Sequence, residues 1–240
     1  MQLSGNTILI TGGASGIGLA LTARFLQENN TVIVCGRRQD VLDDAAAKHP
    51  GLITKKCDLE LPAEREALYA WVAARHPGVN ILINNAGIQN WMNVDDKDFF
   101  QRAKQEIVIN IEAPIHLTHL FLDHKALTTV MNVTSGLSFA PLTKVPVYSA
   151  TKAFFHSFTL SLRYLLKAKN IEVIEIIPPA LNTDLGGKGI HDFAPAVSDF
   201  IDAIFQQLAD GKTELTMGFS EAMIKAGPAE QQAAFARMNP

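Results

Sequence analysis

Short apolar runs alternate with amphipathic stretches along this chain, and that alternation is the feature that most restricts its fold. Thr7–Thr11, Thr31–Cys35, Leu52–Lys56, Asn80–Asn84, Thr129–Thr134 and Ile171–Ile177 are short and rich in aliphatic or β-branched residues, and they read as strands. Between them, Ser15–Glu28, Gln39–Lys48, Pro62–Arg75, Asp98–Leu122 and Val147–Lys167 read as helices. Ala194–Ala209 is expected to be helical, Glu214–Phe219 a last strand, and Pro228–Met238 a short terminal helix. Strand followed by helix throughout predicts an α/β fold: a parallel sheet with helices on both faces. Right-handed crossovers then give a single doubly wound domain over residues 1–240. Ligands of such sheets sit beyond the carboxyl ends of the strands. Chemistry should therefore be sought in the segment after each strand.

Composition narrows the function classes. The chain has 240 residues, 48% of them hydrophobic, enough to bury a core. A formal charge of -3 gives no basic surplus for nucleic acid or for a membrane surface, and neither partner is expected. Nothing resembles a signal peptide or an apolar span, so the cytoplasm is the expected location. Cys35 and Cys57 form no CxxC and read as buried thiols. His116 and His119 lie three apart on a helix but lack a third ligand, so no metal is expected.

The first strand runs into Thr11-Gly12-Gly13-Ala14-Ser15-Gly16-Ile17-Gly18. Glycines at 12, 16 and 18 allow a tight turn and close approach to a pyrophosphate, and the next helix directs free N–H groups at it. Gly36-Arg37-Arg38 follows the second strand. A carboxylate there would hold the ribose 2′-hydroxyl of NAD, whereas guanidiniums suit the 2′-phosphate of NADP. Tyr148 and Lys152 stand four apart on a helix, hence on one face. A phenol of ordinary pKa about 10 is a poor acid–base group at neutral pH, and a nearby ammonium should lower it.

These motifs together resemble the short-chain dehydrogenase/reductase family, whose fingerprint is TGxxxGxG. The resemblance covers nearly the whole chain. It implies a Rossmann-type oxidoreductase that uses NADP(H), with NAD(H) as the lesser possibility, on a small carbonyl or alcohol substrate. The implied cofactor residues begin with Gly12, Ser15, Gly16, Ile17 and Gly18. Arg37 is favoured over Arg38, Asp58 and Leu59 are placed at the adenine, and Thr183 at the carboxamide. Asn84-Asn85-Ala86-Gly87 matches the family's NNAG motif, putting Asn85, Ala86 and Gly87 beside the cofactor. Ser135, thirteen residues before Tyr148, takes the substrate-oxygen role. Asn110, 38 residues before it, takes the water-holding role. Lys152 adds contacts to the nicotinamide ribose.

Pro178-Pro179 departs from the family's usual Pro-Gly. That pair, Asn132–Leu137 and Gly218–Glu221 look most like the family's DltE-type branch. The Gly-rich stretch around 184–195 reads as a substrate lid. Trp91, Met92, Phe139 and Phe193 fall near the expected pocket edge, as lining or as core. The resemblance also suggests a homodimer or homotetramer packed through the helices after strands four and five. A non-catalytic NADP-binding redox sensor on the same fold is the rival reading, and Asn110, Ser135, Tyr148 and Lys152 argue against it. An epimerase or dehydratase of the longer, sugar-nucleotide branch would be expected to carry a further C-terminal region.

Overall fold

The computed structural model describes residues 1–240. Its strands are β1 (Thr7–Thr11), β2 (Thr31–Gly36), β3 (Ile53–Lys56), β4 (Ile81–Asn84), β5 (Thr129–Val133), β6 (Glu172–Ile177) and β7 (Glu214–Thr216). They form one seven-stranded sheet in the order β3-β2-β1-β4-β5-β6-β7, and every pairing is parallel. The helices are α1 (Gly16–Gln27), α2 (Gln39–Lys48), α3 (Pro62–Arg75), α4 (Phe99–Ile107), α5 (Ala113–Phe121), α6 (Pro146–Leu166), α7 (Val197–Ala209), α8 (Gly218–Lys225) and α9 (Pro228–Met238).

Strand side chains alternate between faces, so Ile8 and Ile10 point to one layer and Leu9 to the other. The first layer packs under α1, α2 and α7, with Phe25 and Phe205 in contact at 4.8 Å between ring centroids. The second packs under α3, α5 and α6 through Leu68, Phe121 and Leu162. Both faces of the sheet are thus covered, which is why its strands carry almost no polar alternation. Strand order reverses between β1 and β4, opening a crevice at their carboxyl ends. No helix is long and apolar enough to cross a membrane.

Three elements differ from the sequence expectation. The helix expected over 98–122 is α4 and α5 joined by a π-helical turn, Val108–Glu112. Pro114 supplies the cause: it lacks the N–H that would bond the Asn110 carbonyl, and its ring crowds that carbonyl. The last strand stops at Thr216 rather than Phe219, because Gly218 turns the chain at φ +58° and α8 begins there. Helix α7 starts at Val197 rather than Ala194, because the residue before Pro195 is disfavoured in helical conformation.

Candidate functional site

A cavity of about 1140 Å³ lies along the carboxyl ends of the central strands. At one end the turn after β1 is shaped by glycine. Gly12 and Gly16 have φ of +63° and +52°, a region that penalises any Cβ. A Cβ on Gly12 would also stand 3.0 Å from the Ala86 Cα, and one on Gly18 would collide with the Asn85 amide and the Gly12 carbonyl. The neighbouring strand end occupies that space. Asn85 Nδ2 donates to the Thr11 carbonyl at 2.8 Å, and the Asn85 and Ala86 N–H groups both donate to Thr11 Oγ1 at 3.0 Å. The NNAG segment therefore ties β4 to β1 at the switch point. Ser15 N-caps α1 in extended conformation, yet its hydroxyl makes no cap hydrogen bond. The first N–H groups of α1 and the Ser15 hydroxyl remain available to an anion.

Arg37 and Arg38 follow β2, are exposed, and line the same cavity. Next to them, Asp58 Oδ1 accepts the Glu60 N–H at 3.0 Å in a local turn, while Leu61 is the N-cap of α3. The cavity wall here includes Leu59.

At the other end Ser135, Tyr148 and Lys152 converge, all buried. Ser135 sits where β5 ends, and its Oγ accepts the Leu137 N–H at 3.1 Å, opening a short 3₁₀ turn, Gly136–Ser138. Its hydroxyl also lies near enough to the Tyr148 phenol to favour the ionised form. Lys152 Nζ donates to the Val133 carbonyl at 2.8 Å and stands 5.6 Å from the Tyr148 ring centroid. The electrostatics correct one expectation. The Tyr148 phenol is driven above its ordinary pKa, because burial outweighs the neighbouring Ser135 hydroxyl that favours ionisation, and the negative charge of Glu106 adds to the rise. Burial lowers Lys152 to about 8.

Asn110 is buried behind the cavity wall rather than on it. Its Oδ1 accepts the Ile88 N–H at 2.9 Å, and its Nδ2 donates to the Ile88 carbonyl at 2.9 Å and to Thr151 Oγ1 at 3.1 Å. The side chain holds the segment after β4 against α6. Pro114, four residues on, has no N–H to offer the Asn110 main-chain carbonyl. One turn earlier, fully buried Glu106 was missed at the level of sequence. Its Oε1 accepts the Asn90 N–H at 2.5 Å, its Oε2 has no partner, and burial raises its pKa to about 7. Glu106 and Asn110 thus clamp alternate residues, Asn90 and Ile88. The four-residue offset on one helix was the available signal.

Every other expected site residue lines the cavity: Gly12, Ser15, Gly16, Ile17, Gly18, Arg37, Asp58, Leu59, Asn85, Ala86, Gly87, Ser135, Tyr148, Lys152 and Thr183. Trp91 and Phe193 line it as well, whereas Met92 and Phe139 pack elsewhere. The segment expected as a lid is a loop of turns pinched at its base, where the Asn182 N–H donates to the Pro195 carbonyl at 2.9 Å. Gly186, at φ +80°, rests on Gln89 and Trp91; a Cβ there would stand 2.7 Å from Gln89 Oε1. After β6 the loop carrying Pro178 and Pro179 still brings Thr183 to the cavity, and the Pro178 carbonyl accepts the Gly136 N–H at 3.0 Å.

A crevice of this shape, with a glycine turn at one end and a buried Ser–Tyr–Lys group at the other, defines a nucleotide-dependent oxidoreductase of Rossmann type. Residues 6–192 match the family model for short chain dehydrogenases, and the chain belongs to that family. It is 39% identical to the uncharacterized oxidoreductase DltE of Bacillus subtilis (strain 168), across 100% of this chain and 98% of that protein. It is 30% identical to the NADP-dependent 3-hydroxy acid dehydrogenase YdfG of Shigella flexneri, across 71% of each. A short chain dehydrogenase from Burkholderia cenocepacia J2315, solved in complex with NADP, superposes with a TM-score of 0.85 at 24% identity, covering 99% of both chains. The last likeness is one of fold.

Proposed function

We propose that this chain binds NADP(H) in the cavity and interconverts a small carbonyl compound with its alcohol. The observation that carries the reading is that buried Ser135, Tyr148 and Lys152 share one cavity with the glycine turn and two exposed arginines. The residues suit the cofactor. The missing Cβ atoms at Gly12 and Gly18 let the turn pack directly on Asn85 and Ala86, which leaves the first N–H groups of α1 for a pyrophosphate. Arg37 and Arg38 offer positive charge to a 2′-phosphate, with no carboxylate at the end of β2 to repel it. Asp58 and Leu59 would border the adenine. Asn85, Ala86, Gly87 and Thr183 would border the rest of the dinucleotide.

When bound, NADP(H) supplies or takes up the hydride. The chain's own groups handle the oxygen and the proton. Ser135 Oγ donates to the substrate oxygen and stabilises charge as it develops. Tyr148, held neutral by burial, is set to give its phenolic proton in the reductive direction. Lys152 sits one turn from Tyr148 and would hold the nicotinamide ribose. The Asn110 main-chain carbonyl, which Pro114 cannot bond, would hold the water that returns protons from solvent. The loop over 184–195 closes the substrate end. A sensor without chemistry would need none of the four groups Asn110, Ser135, Tyr148 and Lys152. A homodimer or homotetramer packed through α4, α5 and α6 belongs to the same reading, since Phe100, Tyr164 and Leu165 are exposed there. Light scattering on the purified chain measures it.

The test is a fluorescence titration of NADPH and NADH on the wild type and on Arg37→Ala, followed by a panel of small ketones and aldehydes. A charged hydrogen bond contributes about 1.5–3 kcal/mol, so the variant should bind NADPH about 10–100-fold more weakly and NADH unchanged. Equal affinity for both cofactors in the wild type would remove the NADP assignment.

A further inference from the structure

Helix α6 carries a third polar residue on the face that presents Tyr148 and Lys152. His156 lies one turn beyond Lys152, so the three recur at intervals of four. His156 turns away from the cavity and toward β6. Its Nδ1 lies 2.9 Å and 3.1 Å from the two oxygens of Glu175, a carboxylate with no exposed surface in the middle of that strand. Glu175 Oε1 also accepts the Thr134 hydroxyl at 2.6 Å. Thr134 is the residue between two parts of the reaction centre. Before it, the Val133 carbonyl receives Lys152 Nζ. After it comes Ser135. The His156 ring also packs on Phe139 at 4.7 Å between centroids, on the far side of the turn that Ser135 opens.

We infer that the chain His156–Glu175–Thr134 is a positioning device for the reaction centre, fixing where the end of β5 presents the Ser135 hydroxyl and the Val133 carbonyl. The inference rests on the reading that Ser135 and Lys152 serve the reaction. Its physical basis is the cost of burying a carboxylate, which is tolerated only when its oxygens are hydrogen-bonded. Glu175 meets that requirement with two donors, one on α6 and one on the strand end, and so locks helix to strand. The backbone gives a second hold, since the Thr134 N–H donates to the Ile176 carbonyl at 2.8 Å. The side-chain chain adds rotational control that the ladder lacks. Beside Glu175, His156 faces Glu214 on β7 and Arg163 on its own helix. Glu175 dominates, and its carboxylate raises the His156 pKa.

Sequence shows why the arrangement escapes a motif search. The three residues lie on β5, α6 and β6, and neither Thr134 nor Glu175 has a diagnostic spacing to a site residue. Only the parallel register that pairs Val133 with Ile176 brings the two strand residues together.

The experiment uses Thr134→Val, which keeps volume and removes only the hydroxyl, together with His156→Leu and His156→Gln. NADPH affinity, melting temperature, and kcat and KM on the best ketone of the panel are measured for each. Hydrogen exchange at the Leu137 amide, whose N–H bonds Ser135 Oγ, is followed with the Leu9 amide of the sheet core as control. We expect kcat to fall about tenfold in Thr134→Val and His156→Leu, with NADPH affinity within twofold. His156→Gln, which restores a donor, should recover most of the loss. Leu137 exchange should rise several-fold in the two damaging variants while Leu9 stays unchanged. Wild-type kcat and Leu137 exchange alongside a lowered melting temperature would overturn the inference and leave the chain a packing feature. So would a parallel rise of exchange at Leu137 and Leu9. If no ketone or aldehyde is turned over by the wild type, the proposed reaction fails, and the Leu137 result still decides the positioning role.

Discussion

The two ends of the cavity are built by opposite means. The end after β1 is made of backbone: glycines without Cβ atoms, a free helix terminus, and exposed arginines with no carboxylate among their hydrogen-bond partners. The end after β5 is made of buried side chains, several of them anchored to main-chain groups, with the proton affinities of three moved far from ordinary values. Tyr148 is raised, Lys152 is lowered to about 8, and Glu106 is raised to about 7. The difference matches the tasks proposed for the two ends. A dinucleotide brings its own charge and needs a fitted surface, whereas proton transfer to a carbonyl needs acids and donors in a dry site.

The sharpest way to separate the two ends is Tyr148→Phe. Positioned acid–base groups contribute about 10²–10⁴-fold, so turnover should drop about a thousandfold while NADPH titration shows affinity within twofold. An equal loss of both would merge the two ends into one cooperative unit.

Glu106 probes the cost of the buried end. Its pKa in the folded chain is about 7 against an ordinary 4.5. Because the folded value is the higher one, the carboxyl is harmless below pH 4.5. It destabilises progressively as pH rises to 7, and its cost is constant above that. The full cost is about 3 kcal/mol at about 1.4 kcal/mol per pH unit. Denaturant titrations of wild type and Glu106→Gln should therefore diverge across that window, with the variant gaining on the wild type. Parallel curves would show that Glu106 is solvated or paired.

Gly18→Ala tests the backbone end. Its Cβ meets the Asn85 amide and the Gly12 carbonyl, so the turn must shift and NADPH should bind about tenfold more weakly. Turnover at saturating cofactor should stay near the wild-type value. The smallest effect belongs to Gly186→Ala in the loop over the substrate end. A Cβ at φ +80° would press on Gln89 Oε1, the end of a flexible side chain. Steady-state kinetics should show a ketone KM raised a few-fold and an unaltered NADPH affinity.

These expectations also mark what the residues disclosed in advance. The order of elements was legible because the buried strands are dominated by short runs of apolar residues. The glycine turn, Asn85 and the Tyr148–Lys152 pair were legible because local spacing alone dictates how a turn bends or which helix face a side chain occupies. The π turn at Asn110 was equally written in Pro114, whose missing N–H acts four residues away, but the apolar periodicity around it runs on unbroken. The strand expected to reach Phe219 ends early because Gly218 turns the chain at φ +58°, a conformation that the apolar pattern around it does not reveal.

By itself, then, the sequence determined the layered α/β architecture, the family, and the residues that bend or repeat locally, because strand burial, helix periodicity and glycine conformations are short-range properties of the chain. Only the tertiary structure decided how protons are held. The phenol of Tyr148 rises rather than falls, Glu106 becomes a near-neutral acid, and Thr134, His156 and Glu175 join. Each of those outcomes depends on desolvation and on distances between segments that only the packing of helices on the sheet brings together.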